Sequence, residues 1–296
     1  MTAQQHDESI QAVLDDIGAR AWVHGIDLDH PEREVAFGAD DPVVAASVFK
    51  LPVLVEMCRQ VSVGTLDGQQ RVRIGADERR TPGGIGLSVM LDEVELSLRD
   101  LAVLMMSVSD NRATDVICDL VGLDAVAALL QQLGLPGTVT PGDCQWLFDS
   151  IEQDMAGQDW DAIEPGPDDP RLSVRAATPL ETIRTTPRET TKLLGKLWRD
   201  EDLPADACAQ ARHILGLQVW PHRLATAFAD DSVTLSGKTG TFGPVRNEVG
   251  VAEFPDGQRL AIAVFLNTGS ASGRQRDADR AIGRIGAVVA EQLRAT

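Results

Sequence analysis

The sequence predicts an α/β (α+β) chain in which an antiparallel sheet flanked by terminal helices carries an inserted all-helical lobe. Three observations predict it. Strand patterns occur only toward the two ends, around residues 21–27 and 34–38 and again from residue 232 to 267. Helical periodicity fills the middle, and each end of the chain carries a helix of its own. The turn Pro255-Asp256-Gly257 joins the last two strand patterns as a hairpin, so their pairing is antiparallel. Residues 1–44 and 201–296 then form a discontinuous sheet domain, and residues 45–200 a helical domain.

In order, Ile10, Val13, Leu14 and Ile17 recur at three and four, which makes 4–18 an amphipathic helix ending near Gly18. Strands at 21–27 and 34–38 follow, separated by the turn-like Asp29-His30-Pro31. A helix starts near Ser47 and runs to about residue 61, with Val48, Leu51, Val55 and Cys58 inward and Pro52 tolerated in its first turns. Thr81-Pro82-Gly83-Gly84-Ile85-Gly86 lacks the spacing and context of a phosphate-binding loop and reads as a turn. Residues 98–106 form an almost wholly apolar helix, Ser109-Asp110-Asn111 breaks it, and helical spacing resumes over 113–121 and 123–133. Residues 137–186 are rich in proline, glycine and acids and are expected to be a long loop or lid. Helices at 187–198 and 205–217 precede a strand at 232–235 leading into Lys238-Thr239-Gly240, strands at 245–254 and 258–267, and a last helix over 278–293.

A chain of 296 residues can bury a sizeable core. Its net charge of -18 argues against nucleic acid and anionic membrane as partners, since both would repel such a surface. No apolar run approaches the length of a membrane span. The polar, acidic start shows no signal-peptide pattern, so the cytoplasm is the expected compartment. Four scattered cysteines and five histidines without ligand spacing predict no metal site and no cofactor.

The chemistry-bearing residues come in three groups. Ser47 and Lys50 are one helical turn apart, so their side chains share a face; a partly desolvated lysine can lose its proton and activate the serine. Ser109-Asp110-Asn111 offers a hydroxyl for proton relay and an amide for a substrate carbonyl. Lys238-Thr239-Gly240 ends a strand in the C-terminal part. Singly, each has a bland reading: a solvated helix face for the first, a good helix N-cap for the second. Together they favour function. The chain has four lysines against 23 arginines, yet two of the four fall in these groups, where an amine rather than any cation is needed.

These motifs, with Arg246-Asn247-Glu248 in support, make the sequence resemble the penicillin-recognising serine hydrolases over nearly its whole length, above all the class A β-lactamases. The resemblance implies a β-lactamase/transpeptidase-like fold. It implies that Ser47 is acylated, that Lys50 and Ser109 handle protons, and that Asn111 holds the substrate amide. Lys238, Thr239 and Thr241 would bind a substrate carboxylate, with Arg223 upstream as a further carboxylate-binding candidate. The backbone N–H groups of Ser47 and Thr241 would form the oxyanion hole. The class also carries a Glu-x-x-Leu-Asn motif whose glutamate activates the deacylating water. This chain has no such motif, and residues 146–148 fall roughly at its place. Asp143, Asp149, Glu152, Asp154, Asp161, Glu164 and Glu181 all remain open as general bases. The expected function is a serine hydrolase that acts through an acyl-enzyme on a β-lactam or a related small carboxylate-bearing amide or ester. The alternative is a catalytically impaired penicillin-binding, acyl-trapping or ligand-binding protein on the same fold.

Overall fold

The computed structural model describes residues 3–76, 81–164, 166, 168–228 and 231–295. Helix α1 (Ala3–Asp15) leads to strands β1 (Arg20–Asp27), β2 (Glu34–Phe37) and the two-residue β3 (Val43–Val44). A short 3-10 turn, Ala46–Phe49, opens directly into α2 (Lys50–Ser62). Strands β4 (Arg71–Ile74) and β5 (Val94–Ser97) pair antiparallel, and α3 (Leu98–Ser107), α4 (Asn111–Val121), α5 (Leu123–Gln132) and α6 (Cys144–Met155) follow. The two-residue β6 (Arg184–Thr185) precedes α7 (Pro187–Arg199) and α8 (Ala205–Leu215). The chain closes with β7 (Thr234–Phe242), β8 (Val245–Glu253), β9 (Arg259–Asn267) and α9 (Arg276–Arg294).

The main sheet has the order β2-β1-β9-β8-β7 and is antiparallel throughout, so strands from both termini meet at β1 and β9 as expected. Strand β9 shows why its sequence is nearly continuous in apolar residues. Leu260, Ile262, Val264 and Leu266 face the layer of α1 and α9, while Ala261, Ala263 and Phe265 join the core around α2. Helix α2 is buried on almost every side, with Leu51, Val53, Leu54, Val55, Met57 and Cys58 all inside. It is the centre around which α3, α4, α5 and α8 pack. No helix among the described residues is long and apolar enough to cross a membrane.

Three features differ from expectation. Strand β7 carries Lys238-Thr239-Gly240 in its interior rather than ending at it, because all three residues pair with β8. The short pairs β3–β6 and β4–β5 are additional strands. Residues 144–155, read as part of an irregular loop, form α6, and several single 3-10 turns follow it. Its apolar residues do not show a long stripe, because Cys144 buries in the main core while Ile151 and Met155 bury against Val174 and Ala176 in a small satellite core. Capping supplies the rest: Asp143 accepts from Trp146 N–H at 2.8 Å. His24, given no role from sequence, ties the sheet to α7 through Thr191 Oγ1 at 2.5 Å.

Candidate active site

Ser47 sits in a strap held from both sides. On one side β3 pairs with β6, and Ala45 N–H donates to Ile183 O at 3.0 Å. On the other, the buried Asn247 amide donates to Val44 O at 3.0 Å and Ala45 O at 3.1 Å. Ala46 is bent to φ 44°, a left-handed conformation costing an alanine about 1–3 kcal/mol. The strap also passes very close to β7. A Cβ on Gly240 would lie 2.9 Å from Ala45 O and 3.2 Å from Val48 Cγ2, which is why glycine follows Lys238-Thr239.

Lys50 is completely buried, and its ammonium joins the helical lobe to the strap. It donates to Ser109 O at 2.8 Å, to Ser109 Oγ at 3.3 Å and to Asn111 Oδ1 at 2.8 Å. Burial pulls its pKa below the usual lysine value, against the opposing influence of Cys144, Asp110 and Asp115. Ser109 holds φ 64°, so the second non-glycine residue facing this site is also in a strained conformation. The intervening Asp110 is the structural member of its motif. It is fully buried, caps α4 by accepting from Ala113 N–H at 3.0 Å, and accepts from Leu87 N–H at 2.6 Å. Both readings of Ser-Asp-Asn therefore hold, for different residues: the aspartate caps while its neighbours meet Lys50. Asn111 Nδ2 donates to Pro82 O at 2.8 Å, which brings the 81–86 turn to the rim.

Strand β7 is the edge of the sheet. Thr239 N–H points away from β8 and donates to Gln218 Oε1 at 2.8 Å. Two residues on, Thr241 N–H shares that outer edge by the period of a strand. Gln218 Nε2 in turn donates to Glu248 Oε1 at 2.9 Å, and Leu224 N–H donates to Glu248 Oε2 at 2.6 Å. Burial pushes Glu248 up to about 7. Lys238 is wholly buried, with its pKa well below the usual lysine value through desolvation and then the positive charges of Lys50 and Arg223. Arg223 is a splint rather than a surface ion-pair partner. It donates to Asp279 Oδ1, Asn247 O and Thr241 Oγ1, each at 2.7 Å, and to Gly240 O at 3.1 Å.

Ser47, Ser109, Asn111, Thr239, Thr241 and Arg223 thus line one cleft of about 320 Å³, with Lys50 and Lys238 buried beside it. A profile of the beta-lactamase enzyme family matches residues 5–293. The chain belongs to this family. It is 27% identical over 283 residues to the beta-lactamase regulatory protein BlaB of Streptomyces cacaoi, covering 88% of this chain and 89% of that one. It is 28% identical over 246 residues to the extended-spectrum beta-lactamase PER-1 of Pseudomonas aeruginosa, covering 78% and 70% of the two. The solved beta-lactamase of Sphaerobacter thermophilus matches with a TM-score of 0.79 at 23% identity, over 100% of this chain and 99% of that one. A PBP-A mutant in acyl-enzyme complex with penicillin G matches with a TM-score of 0.77 at 23% identity, over 99% and 97%.

Within this family frame, the side chain that reaches Lys50's partners from α6 belongs to Cys144, two positions before Trp146. Its Sγ donates to Asn111 Oδ1 at 3.5 Å, and burial raises the thiol to about 12, so it is neutral. Asp115, missed from sequence, seats the helix there: it accepts from Cys144 N–H at 2.8 Å, Gln145 N–H at 3.1 Å and Thr81 Oγ1 at 2.5 Å. Desolvation lifts Asp115 to about 6. None of the seven acids left open as general bases lines the Ser47 cleft; Asp143 caps α6, Asp149 accepts from Gln145 Nε2, and Asp154 pairs with Arg175. Sequence reasoning also missed Gln218, Trp220 and His222. A lone cysteine and a lone glutamine carry no spacing signal, so only the fold exposes them.

Proposed function

We propose that this β-lactamase-family chain forms an acyl-enzyme at Ser47 with a β-lactam or a related small amide or ester that bears a carboxylate. The observation that carries the reading is Lys50, buried, depressed in pKa and shared between Ser109 and Asn111 on the wall of the Ser47 cleft. In its neutral form Lys50 takes the proton as Ser47 Oγ attacks the substrate carbonyl carbon. The carbonyl C–N or C–O bond then breaks, and Ser109 Oγ passes a proton to the leaving atom. Ser47 and Thr241 N–H groups receive the developing oxyanion. Lys238, desolvated and with the Arg223 guanidinium nearby, regains its charge beside an anion, which supports a carboxylate on the substrate.

A second reading concerns turnover, and Cys144 favours it. The place beside Lys50 and Asn111 holds a neutral thiol rather than a base, and no carboxylate lines the described cleft. On that reading the acyl-enzyme persists and the chain works as a trap or sensor, in line with a relative named as a regulatory protein. Intact-protein mass spectrometry after mixing with a chromogenic cephalosporin tests both. A transient adduct with accumulating product supports hydrolysis, and a lasting one supports retention. Ser47→Ala should give no adduct; an adduct of equal yield in that variant would sink the assignment.

A further inference from the structure

Against Val43 and Val44 of the strap, and sharing no lining residue with the Ser47 cleft, lies a second cavity of about 240 Å³. Val43, Val44, Val245 and Phe265 give it an apolar wall. Arg20 and Trp22, two residues apart on β1 and so on one face of the sheet, stand at its side, with the guanidinium carbon 5.9 Å from the indole centroid. Among the described residues no carboxylate comes within ion-pairing distance of Arg20, although the chain carries 45 acids against 27 lysines and arginines. A planar, unpaired guanidinium above an apolar chamber beside an aromatic ring has the chemistry of a carboxylate receptor. The volume lies below the range of drug-sized pockets, so the ligand must be small.

We propose that this cavity is a binding site for a small aryl carboxylate, with the ring against Trp22 and the valines and the carboxylate on Arg20. The site is built into the support of the nucleophile. Val44 and Val245 pack with Ala46, the strained residue before Ser47. Asn247, which also lines the cavity, holds the carbonyls of Val44 and Ala45. A ring filling the void behind Val44 braces the strap, so occupancy alters the rate at which Ser47 is acylated; this consequence, unlike the binding, rests on the acyl-enzyme reading.

The test is calorimetric titration with 2-naphthoate, using 2-naphthalenemethanol as the uncharged control. The wild type should bind one naphthoate per chain. Arg20→Gln, a change at an exposed side chain, should weaken naphthoate about fivefold or more and leave the alcohol unchanged. Ala177→Phe, which fills the cavity from its rim, should remove both. Naphthoate binding that survives in both variants belongs to the carboxylate-binding residues of the Ser47 cleft and overturns the proposal, as does the absence of saturable binding in the wild type. Acylation by the chromogenic cephalosporin is then timed with and without saturating naphthoate. A change in wild type that vanishes in Ala177→Phe supports the coupling; equal rates overturn it while leaving the binding result intact.

Discussion

On the reading in which the acyl-enzyme persists, replacing Cys144 by glutamate should convert it into one that turns over. In the wild type the thiol lies 3.5 Å from Asn111 Oδ1, the oxygen that also accepts from Lys50 Nζ at 2.8 Å. With its pKa near 12 that thiol takes no proton from water at neutral pH. A carboxylate at residue 144 would stand at the first turn of α6, whose N–H groups already donate to Asp115 and Asp143, and close to Lys50. A positioned general base is worth roughly 10²–10⁴ in rate, so adduct decay should quicken at least about a hundredfold. The longer side chain enters a place only 3% exposed. Overpacking there costs about 1–3 kcal/mol, and melting should fall by a few degrees. Cys144→Gln has the same length and no base, so its adduct should decay as slowly as the wild type's. The assay acylates each protein, removes free reagent and follows the Ser47 adduct by intact mass. If the glutamate variant acylates at the wild-type rate and its adduct lasts as long as that of the glutamine variant, residue 144 has no part in activating water.

Three further outcomes follow from the geometry. Glu248 is lifted from 4.5 to about 7, so the native state keeps a proton that the unfolded chain releases. Its contribution is full below about pH 4.5 and is lost as pH rises through 7, on the order of 3 kcal/mol in all. Glu248→Gln should therefore reduce the fall in urea stability between pH 5 and 7.5, with a residual slope of the same sign from Asp115; an unchanged slope would count against the buried proton. Asp110→Ala leaves Leu87 N–H and Ala113 N–H without acceptors at about 1–3 kcal/mol each, so chemical denaturation should show a loss of about 2–5 kcal/mol, and a loss under 1 would be the wrong answer. Gly240→Ala puts a methyl 2.9 Å from Ala45 O and must displace the strap or β7. Acylation should slow about tenfold or more with far-UV spectra unchanged, and a wild-type rate would show that the close approach does not position Ser47.

Much of this was legible because burial and period coincide. Helix α3 reads from sequence because Leu98, Leu101, Ala102 and Met105 fall on one buried face, and β9 because alternate residues serve two cores. The three motifs were legible because each pairs a reactive group with the residue that shapes the backbone: Gly240 admits the strap and Asp110 caps α4. Helix α6 was hidden because its inward residues are split, Cys144 and Trp146 toward the main core and Ile151 and Met155 toward a satellite core made from later turns. The short pairs β3–β6 and β4–β5 are held by partners far away in sequence, and no local pattern announces such pairing. Cys144 was hidden for a different reason. Its role comes from proximity to Asn111 and Lys50 on two other helices, and a single thiol has no period to display.

On the proposed reading, formation and breakdown of the acyl-enzyme are held by different parts of this fold. Lys50 binds the α3–α4 junction to the strap through Ser109 and Asn111, while β7 presents Thr239 and Thr241 from the sheet. Residue 144 is placed otherwise. Asp115 and Asp143 accept from the N–H groups of Cys144, Gln145 and Trp146 and so fix the first turn of α6 through its backbone. The Cys144 thiol adds a hydrogen bond of its own to Asp115 and one to Asn111 Oδ1. The backbone bonds to the same two aspartates would carry an amide or a carboxylate to the same place, and a carboxylate there would lose the thiol's bond to Asn111. On that reading the side chain at residue 144 sets the lifetime of the adduct, and Lys50, Ser109, Asn111 and β7 set its formation.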